Sequence, residues 1–506
     1  MLYDKTAGVR FHLALVLPLF CFLYFLRHYH PVFYIVEGSL VLAGGVLLYW
    51  QWDKWEKKPI GTIALVLVVL GLSALGLWQF LSISDPGDSD HAGYACALWN
   101  LERGRTYYSI ADLNVFGSHA NYTLVFWLPL HYLTGEFGVK IGKYLCILAM
   151  ALLAVRRYWG NREVAAWAAV ALLLSPPIAS QFFFGFHPEF LGLPVLVLAL
   201  DAYREEKLGR FLAYTAFLAY TKEVFTLAIA GILLVALIER RSWKWILWPG
   251  FLCCAQMALY WYVVVPHYSP AGTYILGYAA HSSREAVEFL FRRHTIFFAL
   301  HILLPFLPLM LVLPKRYWLL PLPLFLFYSV MQIPTHDLWR HYINPLALLC
   351  MGGFILRKKD ALGEESGAKL DARILLACAI MSLLSYPLWR TAFSLPLHYP
   401  PRSVEVLKVK AMIPKDASVL VNGTFVAHFA GRKEIMDWVY RIKPLEAFEY
   451  IVIDGTFNPE WLFREKELVQ NIATLSHSPN WTTLYAKDSL YLFRRESVSS
   501  VPPLPQ

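Results

Sequence analysis

Residues 60–100, with the sequence IGTIALVLVVLGLSALGLWQFLSISDPGDSDHAGYACALWN, join a long apolar run to a cluster of acids. The run at 60–82 is long enough to cross a bilayer, because a spanning α-helix needs about 20 apolar residues. Directly after it, Asp85, Asp88 and Asp90 fall within six positions. Charged side chains are costly inside a bilayer, so these acids mark the place where the chain leaves the membrane. The stretch therefore predicts a spanning helix with an acidic loop at its mouth.

Similar apolar runs recur through most of the 506-residue chain. Hydrophobic residues make up 58% of the sequence and charged residues only 16%, whereas a soluble domain has about 25% charged residues. This composition excludes a soluble globular protein and predicts a mainly α, polytopic membrane helical bundle. No small-residue cleavage site follows the first run, which favours a retained anchor over a signal peptide. We expect about 13 spans, near residues 11–26, 33–50, 60–82, 138–155, 164–181, 189–203, 209–222, 224–239, 243–265, 295–313, 317–333, 341–357 and 373–390.

Basic residues assign the two sides of the membrane. With the N-terminus in the cytoplasm, 21 Lys and Arg residues fall in the inner loops, against 11 in the outer loops and outer helix ends up to Arg390. Cytoplasmic loops of membrane proteins carry such an excess, so the bias orients the chain in a plasma (inner) membrane. It also explains the net charge of +9, and no nucleic-acid partner is required. We predict that residues 83–137, 182–188, 266–294 and 334–340, and the chain after about 391, face outward.

The seven cysteines give no sign of a disulfide framework or of a C-x-x-C metal pair. Six lie inside predicted spans, where cysteine is usually a small packing residue, and only Cys96 lies in a loop.

The sequence changes character after the last span. SVEVLKVKAMIP (403–414) predicts a helix, and EYIVIDG (449–455) predicts a strand. We therefore predict a small α/β domain on the outer face. The predicted division is 1–59 for extra N-terminal membrane helices, 60–390 for a transmembrane core with outer loop 83–137, 391–496 for the C-terminal α/β extracytoplasmic domain, and 497–506 for a disordered tail.

The acids of the first outer loop allow three interpretations. Asp88 and Asp90 form a D-x-D triplet, which can bind a divalent cation such as Mg²⁺ or Mn²⁺. Alternatively, one carboxylate serves as a general base, or both lie in a solvated turn built on Pro86 and Gly87. The residues alone leave these interpretations open.

Other ionisable residues return to the same predicted face, as candidates for substrate binding. Lys222 and Glu223 interrupt apolar sequence, and we expect them either to form a structural pair or to line a polar cavity. An arginine in the last outer loop matches the geometry of a lipid phosphate, although interfacial snorkelling explains it as well. The candidates are His119, His187, Glu189, Lys222, Glu223, His336, Arg340 and His341.

Several short motifs resemble the bacterial and archaeal multispanning family known as domain of unknown function 2079, which is associated with the GT-C architecture of membrane glycosyltransferases. SDHAGYACALWN (89–100) resembles the family's aspartate-containing stretch, with Asp90 at the aspartate. SHANY (118–122), FHPE (186–189), the Lys222–Glu223 pair and His341-Tyr342 also match, as do parts of the C-terminal sequence. The chain departs from the pattern at Ser89, Ala95 and Cys96, where the family has a phenylalanine, a second aspartate and a glutamine.

The resemblance implies a GT-C-like fold and a glycosyltransferase that uses a lipid-linked sugar donor. It makes Asp90 the catalytic acid-base residue, which takes the proton of an acceptor hydroxyl as that hydroxyl attacks the sugar. A one-step displacement inverts the anomeric carbon. Lys222, Arg340 and the nearby histidines are then expected to stabilise the leaving polyprenyl phosphate. The partners expected are the donor, membrane lipids and an acceptor that is a glycan, a lipid or a protein; a divalent cation on Asp88 and Asp90 is an optional cofactor.

Two hypotheses from other classes compete. A polytopic transporter or flippase would use the charges inside the membrane as a coupling site, but the halves of the sequence show no repeat. A non-catalytic GT-C-like scaffold is suggested by Ala95 and Cys96, which replace polar residues. Sugar transfer that depends on Asp90 would distinguish the enzyme from both.

Overall fold

The computed structural model describes residues 59–81, 89–108, 110, 113–183, 185–269, 283–331, 343–357, 365–384, 403–422, 426–438, 441–455 and 465–496. Several predicted features lie outside these residues: the first two spans, Asp85 and Asp88, the outer cluster of His336, Arg340 and His341, and the tail 497–506. For Asp90 the backbone is described and the side chain is not.

α-Helices make up most of the described chain. The helices of the predicted core are α1 (Ile60–Leu81), α2 (Ser89–Leu101), α3 (Val115–Ser118), α4 (Leu128–Val155), α5 (Arg162–Leu174), α6 (Pro176–Ala179), α7 (Gly192–Arg204), α8 (Leu208–Thr221), α9 (Val224–Ile238), α10 (Lys244–Leu259), α11 (Val265–Tyr268), α12 (Ser283–Leu290), α13 (Arg293–Leu303), α14 (Leu307–Val312), α15 (Leu322–Ser329), α16 (Asn344–Cys350), α17 (Gly352–Leu356) and α18 (Glu365–Leu384). The C-terminal part adds α19 (Ser403–Met412) and α20 (Glu465–His477).

Three stretches of the described chain are long and apolar enough to cross a bilayer: Ile60–Trp78, Tyr122–Tyr158 and Lys244–Tyr268. The pair Arg162–Leu174 and Pro176–Phe182, bent by 70°, makes a fourth if it is one broken span. The predicted total of about 13 spans stays a prediction, because many described helices are shorter than a bilayer crossing.

α1 is a peripheral helix of the bundle. Ile63, Leu67 and Leu70 are each more than half exposed, as expected for side chains that face lipid. Its inner side packs on α5 and on the turn that follows α6. At this contact Gly76 lies against the Phe182 carbonyl, so closely that no Cβ atom would fit. The absence of a side chain therefore allows α1 to approach the bundle.

Arginine side chains gather at one end of the bundle. Arg157 and Arg204 both donate to the carbonyl oxygen of Ile355, at 2.8 and 3.0 Å. Arg156, at 2.7 Å, and Arg204 also pair with the buried carboxylate of Asp201. These arginines come from separate loops that the sequence assigns to the cytoplasm. The fold thus brings together basic residues that the positive-inside rule predicts to share one side.

The described strands are β1 (Tyr107–Tyr108), β2 (Leu113–Asn114), β3 (Val419–Val421), β4 (Ile435–Asp437), β5 (Tyr450–Asp454), β6 (Trp481–Lys487) and β7 (Leu490–Arg495). The C-terminal part contains a mixed five-stranded sheet with the strand order β4-β3-β5-β7-β6. β3 is parallel to β4 and β5, whereas β7 is antiparallel to β5 and β6. A two-stranded ribbon, β1 with β2, precedes it in the chain.

Each face of the large sheet is covered by its own apolar cluster, as the alternation of side chains along a strand requires. Val419 and Val421 face one cluster, whereas Leu420 faces the other, which includes Leu475 of α20. The predicted strand at 449–455 is confirmed as β5, the central strand of this sheet.

α2 belongs to two apolar clusters at once. Ala92, Ala95 and Cys96 pack into the cluster on the α19 side of the sheet. Tyr94 and Leu98 pack into the main cluster of the helical bundle. The loop predicted at 83–137 thus contains a helix that is held between the sheet and the bundle.

Candidate functional site

The site forms where α8 ends and α9 begins. Lys222 stops α8 with an extended backbone (φ −168°, ψ 149°), and α9 starts two residues later. The Lys222 Nζ atom donates to Glu189 Oε1 at 2.7 Å, and both side chains are buried. A buried pair of this kind needs close geometry to offset the cost of removing both charges from water. Lys222 is therefore held by the FHPE motif rather than by its neighbour Glu223.

Glu223 contacts the SHANY motif instead. Its Oε1 atom lies 2.7 Å from Nδ1 of His119, and its Oε2 atom accepts from the backbone N–H of Ala120 at 3.3 Å. The side chains of His119 and Glu223 are 15% and 10% exposed, so a ligand can reach this pair more easily than the Lys222 pair. The two adjacent charges at 222 and 223 thus tie together two motifs that are distant in the sequence.

His187 lies on the other side of Glu189. Its Nδ1 atom is 3.9 Å from Glu189 Oε1, which is too long for a hydrogen bond. Burial, followed by the charges of Lys222 and Lys143, lowers the pKa of His187 well below its ordinary value. The imidazole is therefore neutral at physiological pH, and it can accept or donate a hydrogen bond without adding charge.

The FHPE motif is also fixed by aromatic residues. The Tyr94 ring, from α2, packs edge-on against His187 with ring centroids 5.3 Å apart. Its hydroxyl accepts a 2.7 Å hydrogen bond from Nδ2 of Asn121. Trp127 donates from Nε1 to the carbonyl oxygen of Pro188 at 3.2 Å. Through Tyr94, the helix that carries Asp90 contacts both the FHPE and the SHANY motifs.

Two buried lysines belong to the same region and were missed by the sequence reasoning. Lys140 and Lys143 lie one turn apart on α4 and are fully buried. Nζ of Lys143 donates to the carbonyl oxygens of Gln181 and Gly185, at 2.6 and 3.2 Å. It therefore fastens the turn that leads into the FHPE motif. The sequence did contain a sign of these buried lysines, because they stand three positions apart in an otherwise apolar run.

His91 follows Asp90 in the chain and is buried close enough to Lys140 and Lys143 to be affected by their charges. Burial lowers the pKa of His91 well below its ordinary value, and the charges of Lys140 and Lys143 act in the same direction. Asp90 itself is the second residue of α2, in the first turn, where the helix dipole favours a negative charge.

A small pocket lies next to Glu189. Asn344 is buried there, and its Oδ1 atom has no hydrogen-bond partner among the described residues. The pocket is lined by Glu189, Phe190, Leu193, Val224, Phe225, Asn344 and Pro345.

The structure therefore brings together five of the eight predicted substrate-binding residues: His119, His187, Glu189, Lys222 and Glu223. The other three lie outside the described residues, as does Asp88. Within the described part of the chain, no group of three or more His, Cys, Asp and Glu residues is placed to bind a metal ion. The predicted cation on Asp88 and Asp90 stays a prediction.

Comparisons with known proteins agree on the fold. The family model described as "Predicted membrane protein (DUF2079)" matches residues 87–492. The crystal structure of ArnT from Cupriavidus metallidurans bound to undecaprenyl phosphate superposes with a TM-score of 0.54 at 13% identity, covering 87% of this chain and 99% of ArnT. The apo structure of ArnT gives a TM-score of 0.51 at 14% identity, covering 85% and 97%. No curated protein matches the sequence significantly. At these identities the likeness to ArnT shows a shared fold.

Proposed function

The chain belongs to the DUF2079 family of predicted membrane proteins, and from this premise we propose that it is a membrane glycosyltransferase of the GT-C type. It transfers a sugar from a polyprenyl-phosphate donor to an acceptor on the outer side of the membrane. One observation carries the proposal: the fold matches ArnT, a GT-C enzyme crystallised with undecaprenyl phosphate, over 87% of this chain. The lipid carried by ArnT is of the class that such a donor would contain.

The reaction requires a base at the sugar carbon, and Asp90 is the residue proposed for this role. It lies in the first turn of α2, directly after the spanning helix α1 in the chain. The carboxylate takes the acceptor proton while the acceptor oxygen attacks the anomeric carbon and the lipid phosphate leaves from the opposite face. This single displacement inverts the sugar. The sandwiched position of α2 supports the role, because a catalytic group is most effective when its backbone is held rigidly.

The substrate pocket is proposed to lie between α2 and the network at the α8–α9 junction. Glu189 is held there by Lys222, whose Nζ atom lies 2.7 Å from Oε1. A charged carboxylate accepts hydrogen bonds from sugar hydroxyls, so we assign Glu189 and neutral His187 to the sugar. Because Lys222 is engaged by Glu189, we assign the charge of the leaving phosphate to Arg340, His336 and His341, with His119 and Glu223 at the pocket edge.

The donor is proposed to enter from the outer leaflet, with its isoprenoid chain among membrane lipids. The acceptor is a glycan, a lipid or a protein with a free hydroxyl. A divalent cation on Asp88 and Asp90 would add positive charge next to the phosphate, which is a role that bound cations often have.

Sugar transfer by purified protein tests the proposal. The protein is reconstituted into liposomes prepared from membranes that contain radiolabelled undecaprenyl-phosphate sugars, and loss of label from these donor molecules is measured by chromatography. We expect Asp90→Asn to abolish this loss while the protein still inserts and folds. Asp416→Asn, which changes an exposed acid on the C-terminal part, is the matched control and keeps full turnover. Equal turnover in wild type and Asp90→Asn would refute the assignment of Asp90.

A lipid-linked-sugar flippase is the second candidate function. The observation that favours it is the charged break at Lys222 between two apolar helices, since broken helices line transport sites in many transporters. Movement of a fluorescent lipid-linked sugar between leaflets, abolished by Lys222→Met and unaffected by Asp90→Asn, would select the flippase.

A further inference from the structure

The described residues contain two histidines that are hydrogen-bonded to a glutamate through Nδ1. His119 lies 2.7 Å from Glu223, and His131 lies 2.6 Å from Glu102. An ionised carboxylate can only accept a hydrogen bond, so Nδ1 carries the proton in each pair. The other ring nitrogen, Nε2, is then the atom that can exchange a proton with a ligand. Only the His119 pair lies at the network proposed to bind substrate.

The surroundings of this pair are rich in hydroxyl groups. The hydroxyls of Tyr122 and Tyr260 are buried and have no hydrogen-bond partner among the described residues. Both tyrosines lie close enough to Glu223 to interact with its charge. Tyr260 also begins a π-helical turn, Tyr260–Val264, and such turns are frequent at functional sites. Buried polar groups without partners indicate a place where a polar ligand or water completes the hydrogen bonds.

Other titratable groups face the pair from each neighbouring element. Lys222 precedes Glu223 in the chain and interacts with its charge, and Tyr328 of α15 interacts with Glu223 as well. The charge of His119 also acts on His187 in the FHPE turn. An anion placed at Nε2 of His119 would therefore meet the outer edge of the ring and the tyrosine hydroxyls. The fixed carboxylate lies behind the ring, at Nδ1.

We propose that His119, oriented by Glu223, is the acid that receives the leaving polyprenyl phosphate. The inference rests on the proposed glycosyl transfer. The acceptor oxygen forms a bond to the anomeric carbon and gives its proton to Asp90. The bond between that carbon and the phosphate oxygen breaks, and its electron pair stays on the phosphate. His119 donates its Nε2 proton to that oxygen, and Glu223 holds the imidazolium before the transfer. In this scheme His119 is a catalytic residue and Glu223 is a positioning residue.

Binding of undecaprenyl phosphate tests the inference without turnover. The affinity of the full chain in nanodiscs is measured between pH 5.5 and 8.5. We expect wild type to bind about tenfold or more weakly at the alkaline end, because a hydrogen bond from a charged donor is lost. His119→Asn removes Nε2 but keeps an N–H group near the Nδ1 position, so the contact with Glu223 is retained. This variant is expected to bind weakly at every pH.

Two further variants separate a catalytic role from a structural one. His119→Gln places an N–H group near Nε2 without a titrating ring, and its binding of the lipid should depend less on pH than that of wild type. His131→Gln makes the same chemical change in the second pair and should behave as wild type. If His119→Asn binds with wild-type affinity and pH dependence, the inference is wrong. If either His119 variant fails to fold, the other decides.

Turnover distinguishes failure of the inference from failure of the proposed function. We expect His119→Asn to lower kcat by about a hundredfold or more, within the range for lost general acid catalysis. The alkaline limb of the pH profile should disappear in the same variant. Unchanged turnover in His119→Asn, with loss of turnover in Asp90→Asn, rejects the inference and retains the transferase. No turnover in wild type, with the pH-dependent binding described above, rejects the transferase and leaves His119 as an anion-binding residue.

Discussion

Lys222 and Glu189 form an ion pair of 2.7 Å in which both side chains are almost completely buried. Glu223, the next residue after Lys222, is directed to His119 instead. The junction between α8 and α9 therefore joins two separate motifs, SHANY and FHPE, through two adjacent charges. This arrangement makes the junction the point at which the two motifs are held together.

The first prediction concerns the stability of this pair. Lys222→Met leaves the Glu189 charge buried without its cation, and we expect a loss of about 3–5 kcal/mol in the free energy of unfolding. Combining Lys222→Met with Glu189→Gln removes both charges and should recover most of that loss. The free energy is measured by SDS titration in mixed micelles.

Lys207 provides the matched control for that measurement. It forms a pair of the same length, 2.7 Å, with Glu205, but both side chains are well exposed. Lys207→Met should cost less than about 1 kcal/mol, because exposed pairs contribute little. Equal losses in Lys222→Met and Lys207→Met would show that burial of the Lys222 pair has no energetic consequence.

The second prediction concerns the attachment of α2 to the sheet. Ala95 and Cys96 are buried against the apolar cluster on the sheet face. Ala95→Leu adds volume to this close-packed contact, and we expect a destabilisation of about 1–3 kcal/mol.

Alkylation of Cys96 by N-ethylmaleimide, followed by peptide mass spectrometry, should accelerate in the Ala95→Leu variant. An unchanged rate, with unchanged stability, would mean that α2 is not held by the sheet. Cys378, buried in α18, is the internal control and should react equally slowly in both proteins.

The packing of Ala95 and Cys96 also bears on the scaffold hypothesis. These positions replace polar residues of the family pattern, yet both face an apolar cluster rather than the ion-pair network. Small apolar side chains are what such a contact requires. Packing of α2 against the sheet therefore accounts for small side chains at these two positions.

The sequence predicted the helical segments well where apolar runs end at charges. The predicted spans 209–222 and 224–239 correspond to Leu208–Thr221 and Val224–Ile238, because Lys222 and Glu223 interrupt the run. The helix predicted at 403–414 is likewise observed, at Ser403–Met412. These features depend on local sequence, which periodicity and composition can report.

The partners within the site could not be predicted in the same way. His119 and Glu223 are 104 positions apart, and Lys222 and Glu189 are 33 apart. Nothing local links them, because the contact depends on how the helices pack. The lysines of α4 were counted as residues of an outer helix end, whereas the fold buries both. Contacts that depend on three-dimensional packing are therefore the part that the sequence reasoning could not supply.

The third prediction concerns His428, in the segment that packs on α2. Burial, followed by the charges of Lys410 and Lys140, lowers the pKa of His428 to about 3. The Glu136 carboxylate is 4.0 Å away, beyond hydrogen-bond range, and does not restore the charged form. The unfolded chain takes up a proton near its ordinary pKa of 6.5, whereas the folded protein does not. The contribution of His428 to stability should therefore be complete above pH 6.5 and fall below it, by about 1.4 kcal/mol per pH unit down to pH 3.

Thermal unfolding at pH 7 and pH 5 measures this effect. His428→Gln cannot titrate, so the difference between the two pH values should shrink by roughly 2 kcal/mol relative to wild type. His477→Gln changes an exposed histidine on α20 and should leave the difference unchanged. An identical pH dependence in wild type and His428→Gln would show that His428 is not held neutral by its surroundings.

The fourth prediction concerns the approach of α1 to the turn that precedes the FHPE motif. A Cβ atom at Gly76 would overlap the Phe182 carbonyl, which already accepts a 2.8 Å hydrogen bond from the Tyr144 hydroxyl. Gly76→Ala must push α1 away or displace this turn, and we expect a loss of about 1–3 kcal/mol in unfolding free energy. Gly71 lies in the same helix with nothing within 4 Å of its added Cβ. Gly71→Ala should therefore be neutral or stabilising by up to about 1 kcal/mol, because alanine favours helix. Since the displaced turn leads to His187 and Glu189, Gly76→Ala should also weaken binding of undecaprenyl phosphate. Gly71→Ala should leave this binding unchanged. Equal behaviour of the two variants would contradict the close contact between Gly76 and the Phe182 carbonyl.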